Sequence, residues 1–275
     1  MTVLELLENT TRYFAKHDVP SPRLTIELML ADILQKTRMQ LYLEFDQPVS
    51  DPVMDRLRPL VKRRADGEPL EYLLGGTTFA GHRITVTPDV LIPRPETEIL
   101  LDEAIKLIEP EELPVLDAGT GSGILALALA KKFPQLEIIA TDISPAALAL
   151  ARKNTEGLGN IRHVECDLLE EKSLPESFQM IVANLPYLPS GQIDGLMREV
   201  RHEPRLALDG GADGLDLIRR LVAQSAGRTR HLVLELGDGQ AEEAKTLCLR
   251  AGYALIRILP DFTERERILV AQYQG

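Results

Sequence analysis

The chain has no tryptophan, two cysteines and few aromatics, 4% of its 275 residues. Each shortage excludes something. Cys166 and Cys248 stand far apart and outside any Cys-x-x-Cys spacing, which excludes a disulfide framework and a zinc ribbon. None of the five histidines falls in a His-Glu-x-x-His or other paired spacing, so no metal is expected. Basic residues are outnumbered, 31 Lys and Arg against 42 Asp and Glu, for a formal charge of −11. That balance argues against a protein that grips nucleic acid through its phosphates, and the lack of aromatic stacking platforms points the same way. No apolar run approaches the roughly 20 residues that span a bilayer. Residues Met1 to Glu8 carry acids where a signal peptide would be basic and then apolar. A soluble, cytoplasmic, monomeric protein with no membrane partner is the expectation.

What remains is an ordinary globular composition, 44% apolar, in a chain long enough for one large domain or two unequal ones. Residues 1–75 read as helical. Apolar positions recur at spacings of three and four from Leu4 to Phe14. Ser21-Pro22 supplies a cap and a first-turn proline for a helix to Leu34, and Ser50-Asp51-Pro52 opens another. The latter ends near Lys62-Arg63-Arg64, which reads as a solvated helix end that complements the macrodipole. Gly75-Gly76 marks a boundary. Residues 76–98 then read as a linker. Thr77-Thr78-Phe79 and Ile84-Thr85-Val86 flank Ala80-Gly81-His82-Arg83 as a short hairpin, and Pro88, Pro93 and Pro95 stiffen the segment after it. Pro95-Glu96-Thr97-Glu98 opens a helix with proline and acids where a first turn favours them. The third part, residues 99–275, alternates helices with strands at Pro114–Asp117, Glu137–Thr141, Ile161–Cys166, Gln179–Ala183, His231–Leu236, Ala254–Ile258 and Ile268–Gln272. Such alternation implies an α/β fold with parallel strands and ligands outside their carboxyl ends.

Two motifs carry chemistry. The run Asp117-Ala118-Gly119-Thr120-Gly121-Ser122-Gly123 leaves a strand and enters a helix. Its missing side chains let a ligand approach the backbone, and the helix N-terminus offers free N–H groups. Asp142 ends the next strand, about 20 residues on, where an acid can accept hydrogen bonds from ribose hydroxyls. Asp167 at the end of the third strand is placed to take an adenine amino group, and Leu168 to cover a ring face. A dinucleotide fingerprint would need Gly at position 124, where Ile124 stands. The second motif is Asn184-Leu185-Pro186-Tyr187, at the end of a later strand. An Asn, a rigid Pro and an aromatic ring there can hold a flat NH2 group beside the glycine turn, which suggests methyl transfer to a planar amino or amide nitrogen.

Together these motifs resemble class I S-adenosylmethionine-dependent methyltransferases acting on amino nitrogens. The resemblance narrows with Pro69-Leu70-Glu71-Tyr72-Leu73-Leu74-Gly75, Leu91-Ile92-Pro93-Arg94-Pro95-Glu96-Thr97-Glu98, Glu203-Pro204-Arg205-Leu206-Ala207-Leu208, Asp213-Gly214-Leu215-Asp216 and the stretch Asp261–Val270. These are similar to the PrmC/HemK family, the release factor glutamine N5-methyltransferases. The similarity runs through most of the chain and is weakest before residue 65. Pro93 to Glu98 is its most specific motif.

The resemblance implies a Rossmann-like seven-stranded sheet with its last strand antiparallel, a small helical N-terminal domain that recognises substrate, and a β-hairpin linker. It implies S-adenosylmethionine held by Asp117, Gly119, Thr120, Gly121, Ser122, Gly123, Asp142, Asp167, Leu168 and Asn184, leaving as S-adenosylhomocysteine. The acceptor would be the glutamine in the Gly-Gly-Gln loop of peptide chain release factors. Its amide nitrogen is a poor nucleophile, and the Asn184 oxygen and the main-chain carbonyl of Leu185 would each accept one of its hydrogens. Tyr187 would pack on the planar group, and Pro186 would fix the local backbone. Leu185 stands where the family usually has proline, with its side chain expected to matter little. Arg94 and Glu96 have two readings: Arg94 neutralising a carboxylate and Glu96 lining the acceptor pocket, or both forming a helix start with a local ion pair. Asn-Leu-Pro-Tyr also resembles the motif of ribosomal RNA adenine N6-dimethyltransferases. An adenine-N6 methyltransferase acting on RNA or DNA is therefore the alternative, and a non-catalytic, cofactor-binding interaction protein the third reading.

Overall fold

The computed structural model describes residues 1–109 and 113–274. They fall into two compact units: Met1–Gly76 with Met197–His202, and Thr77–Leu196 with the chain from Glu203 onward.

The first unit is built from α1 (Val3–Lys16), α2 (Pro22–Leu34), α3 (Arg38–Tyr42), α4 (Asp51–Ala65) and α5 (Leu70–Leu73). Thr2 caps α1 reciprocally: its hydroxyl accepts from the Glu5 N–H at 3.2 Å, and the Glu5 carboxylate accepts from the Thr2 N–H at 2.9 Å. The apolar face of α1, with Leu6, Leu7 and Phe14, joins Ile26, Met29 and Leu30 of α2 in one core. Two expectations change here. Ser21 precedes α2 in a left-handed conformation (φ 44°) and makes no side-chain cap; Pro22 alone marks the start. Arg64 is not solvated. It is 3% exposed, donating to the Glu68 carbonyl at 2.9 Å and to Glu199 Oε1 at 2.6 Å. The reason is the turn at Gly67 (φ 97°), which folds Glu68 back onto the end of α4. A second buried charge, Glu27 on α2, accepts from Arg23 (2.6 Å), Arg38 (2.7 Å) and the Tyr42 hydroxyl (2.9 Å). Burial alone would raise its pKa, but these bonds, Arg38's foremost, hold it below the usual range.

The second unit begins with a hairpin of β1 (Thr77–Phe79) and β2 (His82–Ile84). Its loop is only Ala80-Gly81, with φ of 45° and 77°, so β2 starts two residues earlier than the polarity pattern suggests. Paired positive φ values match the twist of two-residue hairpins, and the Ala80 N–H donates to Glu98 Oε1 at 2.9 Å. After α6 (Glu96–Leu107) the chain alternates β3 (Val115–Ala118), α7 (Ile124–Lys132), β4 (Ile138–Asp142), α8 (Pro145–Asn154), β5 (Ile161–Glu165), β6 (Phe178–Ala183), α9 (Asp216–Ser225), β7 (Thr229–Glu235), α10 (Ala241–Arg250), β8 (Tyr253–Pro260) and β9 (Glu266–Tyr273). All seven strands lie where the alternation puts them, with ends moved by no more than two residues.

The sheet order is β5-β4-β3-β6-β7-β9-β8, parallel except that β9 runs antiparallel to both neighbours. The chain leaves β3 toward β4 and β5 on one side and returns to β6 on the other, so the order reverses between β3 and β6. Ligands of open α/β sheets bind at such a switch point. The glycine turn comes after β3 and Asn184 after β6, which brings the two sequence motifs to the same crevice.

One prediction concerns the helical unit. Glu27→Ala should lower stability to urea by about 1–3 kcal/mol, since it strips three donors of their acceptor in a buried setting. Circular dichroism melts would show it, and an unchanged midpoint would refute it.

Candidate active site

The turn after β3 is held from below by Asp117. This residue is 1% exposed, and its Oδ2 accepts from the Thr120 hydroxyl at 2.6 Å and the Ala126 N–H at 3.1 Å. Its Oδ1 is buried without a hydrogen-bond partner among the described residues. Burial pushes the carboxyl up to about 7, against the pull of those two bonds. Gly119 needs its missing side chain twice over. Its φ is 73°, and a Cβ there would lie 2.9 Å from Leu185 Cδ2. Asp142 closes the turn from the β4 side: Gly121 N–H donates to Oδ2 and Ser144 N–H to Oδ1, each at 2.9 Å. Burial raises its pKa as well, opposed by these backbone donors. Asn154 adds a brace that the sequence does not reveal, donating from Nδ2 to the carbonyls of Ser122 and Thr85 at 2.9 Å each.

Above this turn is a cavity of about 320 Å³. Gly119, Gly121, Asp142, Asp167, Leu168, Asn184, Leu185 and Pro186 line it. Asp117, Thr120, Ser122, Gly123, Tyr187, Arg94 and Glu96 do not; the first four stand behind the wall as its support. The wall also includes Pro88–Leu91, Ile143, Leu206, Ala207 and Arg220; of these Leu91, Leu206 and Ala207 lie in the stretches that carry the family resemblance, and the others do not. Arg220 donates to Asp167 Oδ2 at 2.8 Å and to Glu170 Oε1 at 2.9 Å. Cys166 also borders the cavity, but burial lifts its thiol to about 11, which leaves it un-ionised at neutral pH.

The loop after β6 is fixed residue by residue. Leu185 is 4% exposed and packs against Gly119, so its side chain, expected to matter little, is part of the joint between the two loops. Asn184 Nδ2 donates to Thr97 Oγ1 at 3.0 Å, and Thr97 Oγ1 donates to Glu235 Oε2 at 2.7 Å. The Tyr187 hydroxyl reaches Glu235 Oε1 at 3.3 Å, and the Arg267 guanidinium lies 6.0 Å from the Tyr187 ring centroid. Burial pushes Glu235 upward, opposed by the Thr97 and Tyr187 hydroxyls. The same burial, with Glu235 beside it, drives Tyr187 well above the ordinary phenol range. The backbone is clamped too. Leu188 N–H donates to the Leu208 carbonyl at 3.0 Å, Gly210 N–H to the Leu188 carbonyl at 2.9 Å, and Gln240 Nε2 to the Tyr187 carbonyl at 2.9 Å.

Arg94 forms an ion pair with Glu203, whose other oxygen accepts the Ile92 N–H at 3.0 Å. Glu96 is half-buried in the first turn of α6. Thr97 and Glu235 are the residues that sequence reasoning missed with most consequence. Thr97 lies inside the Pro93 to Glu98 motif; Glu235 carries no local signal at all.

Comparison with known proteins is consistent with this architecture. Residues 5–75 match the family model of the PrmC N-terminal domain, and residues 115–203 that of a methyltransferase domain. Similar proteins include the release factor glutamine methyltransferase of Geobacter sulfurreducens, 40% identical over 92% of this chain and 90% of the relative. Those of Moorella thermoacetica (39%, over 98% of each) and Deinococcus radiodurans (39%, over 100% of each) are alike in extent. Among solved structures, the hMettl16 catalytic domain in complex with MAT2A 3′UTR hairpin 6 has a TM-score of 0.59 at 17% identity, over 82% of this chain and 83% of that one. A methyltransferase from Pyrococcus furiosus has a TM-score of 0.54 at 17% identity, over 72% and 92%. At such identities the likeness is one of fold.

The geometry has two measurable consequences. Gly214 has φ 82°, and a Cβ there would lie 2.2 Å from the Tyr187 carbonyl oxygen, so Gly214→Ala must displace the loop. It should cost at least about 1–3 kcal/mol in thermal melts and most of any activity. Wild-type stability would refute the clamp. Asp117 supplies a pH dependence. A carboxyl raised in the folded state stabilises fully below its unfolded value of 3.8, and that contribution is lost as pH rises through about 7. The ligand-free protein should therefore lose stability relative to Asp117→Asn across that window, and parallel curves would exclude it.

Proposed function

The chain belongs to the PrmC/HemK family of release factor glutamine methyltransferases, and from that premise we propose that it methylates the side-chain amide nitrogen of the Gly-Gly-Gln glutamine in peptide chain release factors. The observation that carries the reading is Asn184, which lines the cavity while its NH2 group is engaged by Thr97. Its oxygen is thereby left for an acceptor that brings its own N–H donors.

The cavity fits a nucleoside-bearing cofactor. Its volume of about 320 Å³ is within the range of small-molecule sites, and two glycines leave part of its wall bare. Asp142 spends one lone pair per oxygen on backbone N–H groups and keeps others for ribose hydroxyls. Asp167, steadied by Arg220, can accept from an adenine amino group, and Leu168 can cover the ring. The cofactor in this reading is S-adenosylmethionine, which supplies a methyl group on a positively charged sulfur and leaves as S-adenosylhomocysteine.

The residues of the chain then act on the glutamine. The Asn184 oxygen and the Leu185 carbonyl accept the two amide hydrogens and turn the nitrogen lone pair away from conjugation with its own carbonyl. Pro186 holds Leu185 extended, so that its carbonyl keeps that aim. Tyr187 supports the loop through Glu235 and offers its ring to the flat amide. The nitrogen becomes acidic as the new N–C bond forms, and one N–H proton passes to solvent without a strong base. Residues 1–75 serve as the part that recognises the release factor, residues 76–98 as the linker and residues 99–275 as the methyltransferase. The protein works in the cytoplasm, where translation ends, as a monomer.

The test is incubation with labelled S-adenosylmethionine and purified release factors, then peptide mass spectrometry. One methyl on the loop glutamine is expected, with Asn184→Ala reducing transfer by on the order of 10²-fold. Labelling of RNA in place of the release factor would overturn the reading in favour of an adenine acceptor. Cofactor binding with no transfer to either would leave a non-catalytic binding protein.

A further inference from the structure

Thr97 on α6 and Glu235 on β7 are 138 residues apart in the chain, both almost fully buried, and joined at 2.7 Å. We infer that the pair holds the Asn184 amide in one of its two orientations, oxygen toward the cavity; the inference rests on the acceptor reading of Asn184 and deepens it.

The two ends of an Asn amide have nearly the same shape, so packing alone does not choose between them. Hydrogen bonding does. The Glu235 carboxylate can only accept, and the single Thr97 hydroxyl proton goes to its Oε2. The lone pairs left on Thr97 Oγ1 require a donor, and Asn184 can present one only with Nδ2. Its Oδ1 is then fixed as the end that meets a substrate NH2. Reversing the amide would set the Asn184 oxygen against a threonine oxygen with no proton between them. It would also aim an NH2 group at another NH2 group.

Glu235 serves a second residue with the same charge. Its Oε1 accepts the Tyr187 hydroxyl at 3.3 Å, so one buried carboxylate orients both polar members of the Asn184–Tyr187 loop. The charged groups that face it are Arg267 from β9 and Glu96 from α6. Thr97 is 3% exposed and Glu235 1% exposed, so bulk water does not compete for either hydrogen bond. Neither residue lines the cavity, so both act through Asn184 and are positioning residues.

The test separates orientation from simple packing. Thr97→Val keeps the shape and removes the hydroxyl; Thr97→Ser keeps the hydroxyl. With release factor as acceptor, T97V should lower kcat at least about tenfold, with the KM for S-adenosylmethionine unchanged, and T97S should recover to within a few-fold of wild type. Glu235→Gln can donate to Thr97 and so reverse the chain of bonds; it should lower kcat as T97V does, and the double variant should lose no more than either alone. Cofactor binding by calorimetry shows that each variant is folded. T97V with wild-type kcat overturns the inference, as does T97S failing together with T97V while both still bind cofactor. A wild-type protein that methylates no release factor overturns the reading of Asn184 and the inference with it. An active wild type matched by T97V overturns the inference alone.

Discussion

The site depends on one close approach. The turn that leaves β3 and the loop that leaves β6 meet at Gly119 and Leu185, near enough that one added methyl group would lie 2.9 Å from the leucine. Sheet topology makes this meeting possible, because β3 and β6 are neighbours at the point where strand order reverses. Packing makes it rigid: Leu185 is buried in the core that also holds Ala118, Ala183 and Leu234. The glycine turn and Asn184 are thereby brought side by side on one cavity wall. Leu185 in place of a proline gives up some backbone stiffness and contributes a larger apolar contact at the same joint.

Around that joint the structure uses buried or half-buried carboxylates as rigid acceptors. Asp117 braces the glycine turn, Asp142 pins Gly121 and Ser144, Glu203 takes the Ile92 N–H and Arg94, and Glu235 takes two hydroxyls. Burying a charge is costly, and each is offset by backbone N–H groups, hydroxyls or an arginine. The formal charge of −11 is therefore only partly a property of the surface. Several acids are internal fittings, and counting them all as repulsion toward a nucleic acid overstates the surface charge.

Much of this is legible in the sequence. Short apolar runs alternating with helical patterns locate all seven strands of the sheet, and the glycine turn and Asn184 stand at strand ends where ligands collect. What is not legible depends on residues distant in sequence. Arg64 reads as solvated because its partner Glu199 is 135 positions away. Ser21 reads as a cap because the residue type suits one, yet its backbone is left-handed and leaves the hydroxyl unused as a cap. The hairpin's second strand starts early because the turn closes in two residues, with Glu98 of a later helix fastening it. Glu235 ends a strand as an acid, much as Asp117 and Asp142 lie at strand ends, and nothing local distinguishes it. Its meaning comes only from Thr97.

The segment Pro93 to Glu98 gains a physical account from these contacts. It is a helix start whose side chains diverge to different jobs. Arg94 reaches Glu203, Thr97 reaches Asn184 and Glu235, and Glu98 reaches the hairpin turn at Ala80. Each of these contacts ties the segment to a different part of the second unit. It also bears on why Asn184-Leu185-Pro186-Tyr187 is by itself an ambiguous motif. An amide oxygen and a main-chain carbonyl will receive any planar NH2 group, whether on adenine or on glutamine. Discrimination must come from what frames the loop, and the frame here is compact, acidic and poor in aromatic surface. A glutamine side chain needs two acceptors; a flipped base needs in addition aromatic or apolar side chains to stack between. The framing residues meet the first requirement more closely than the second.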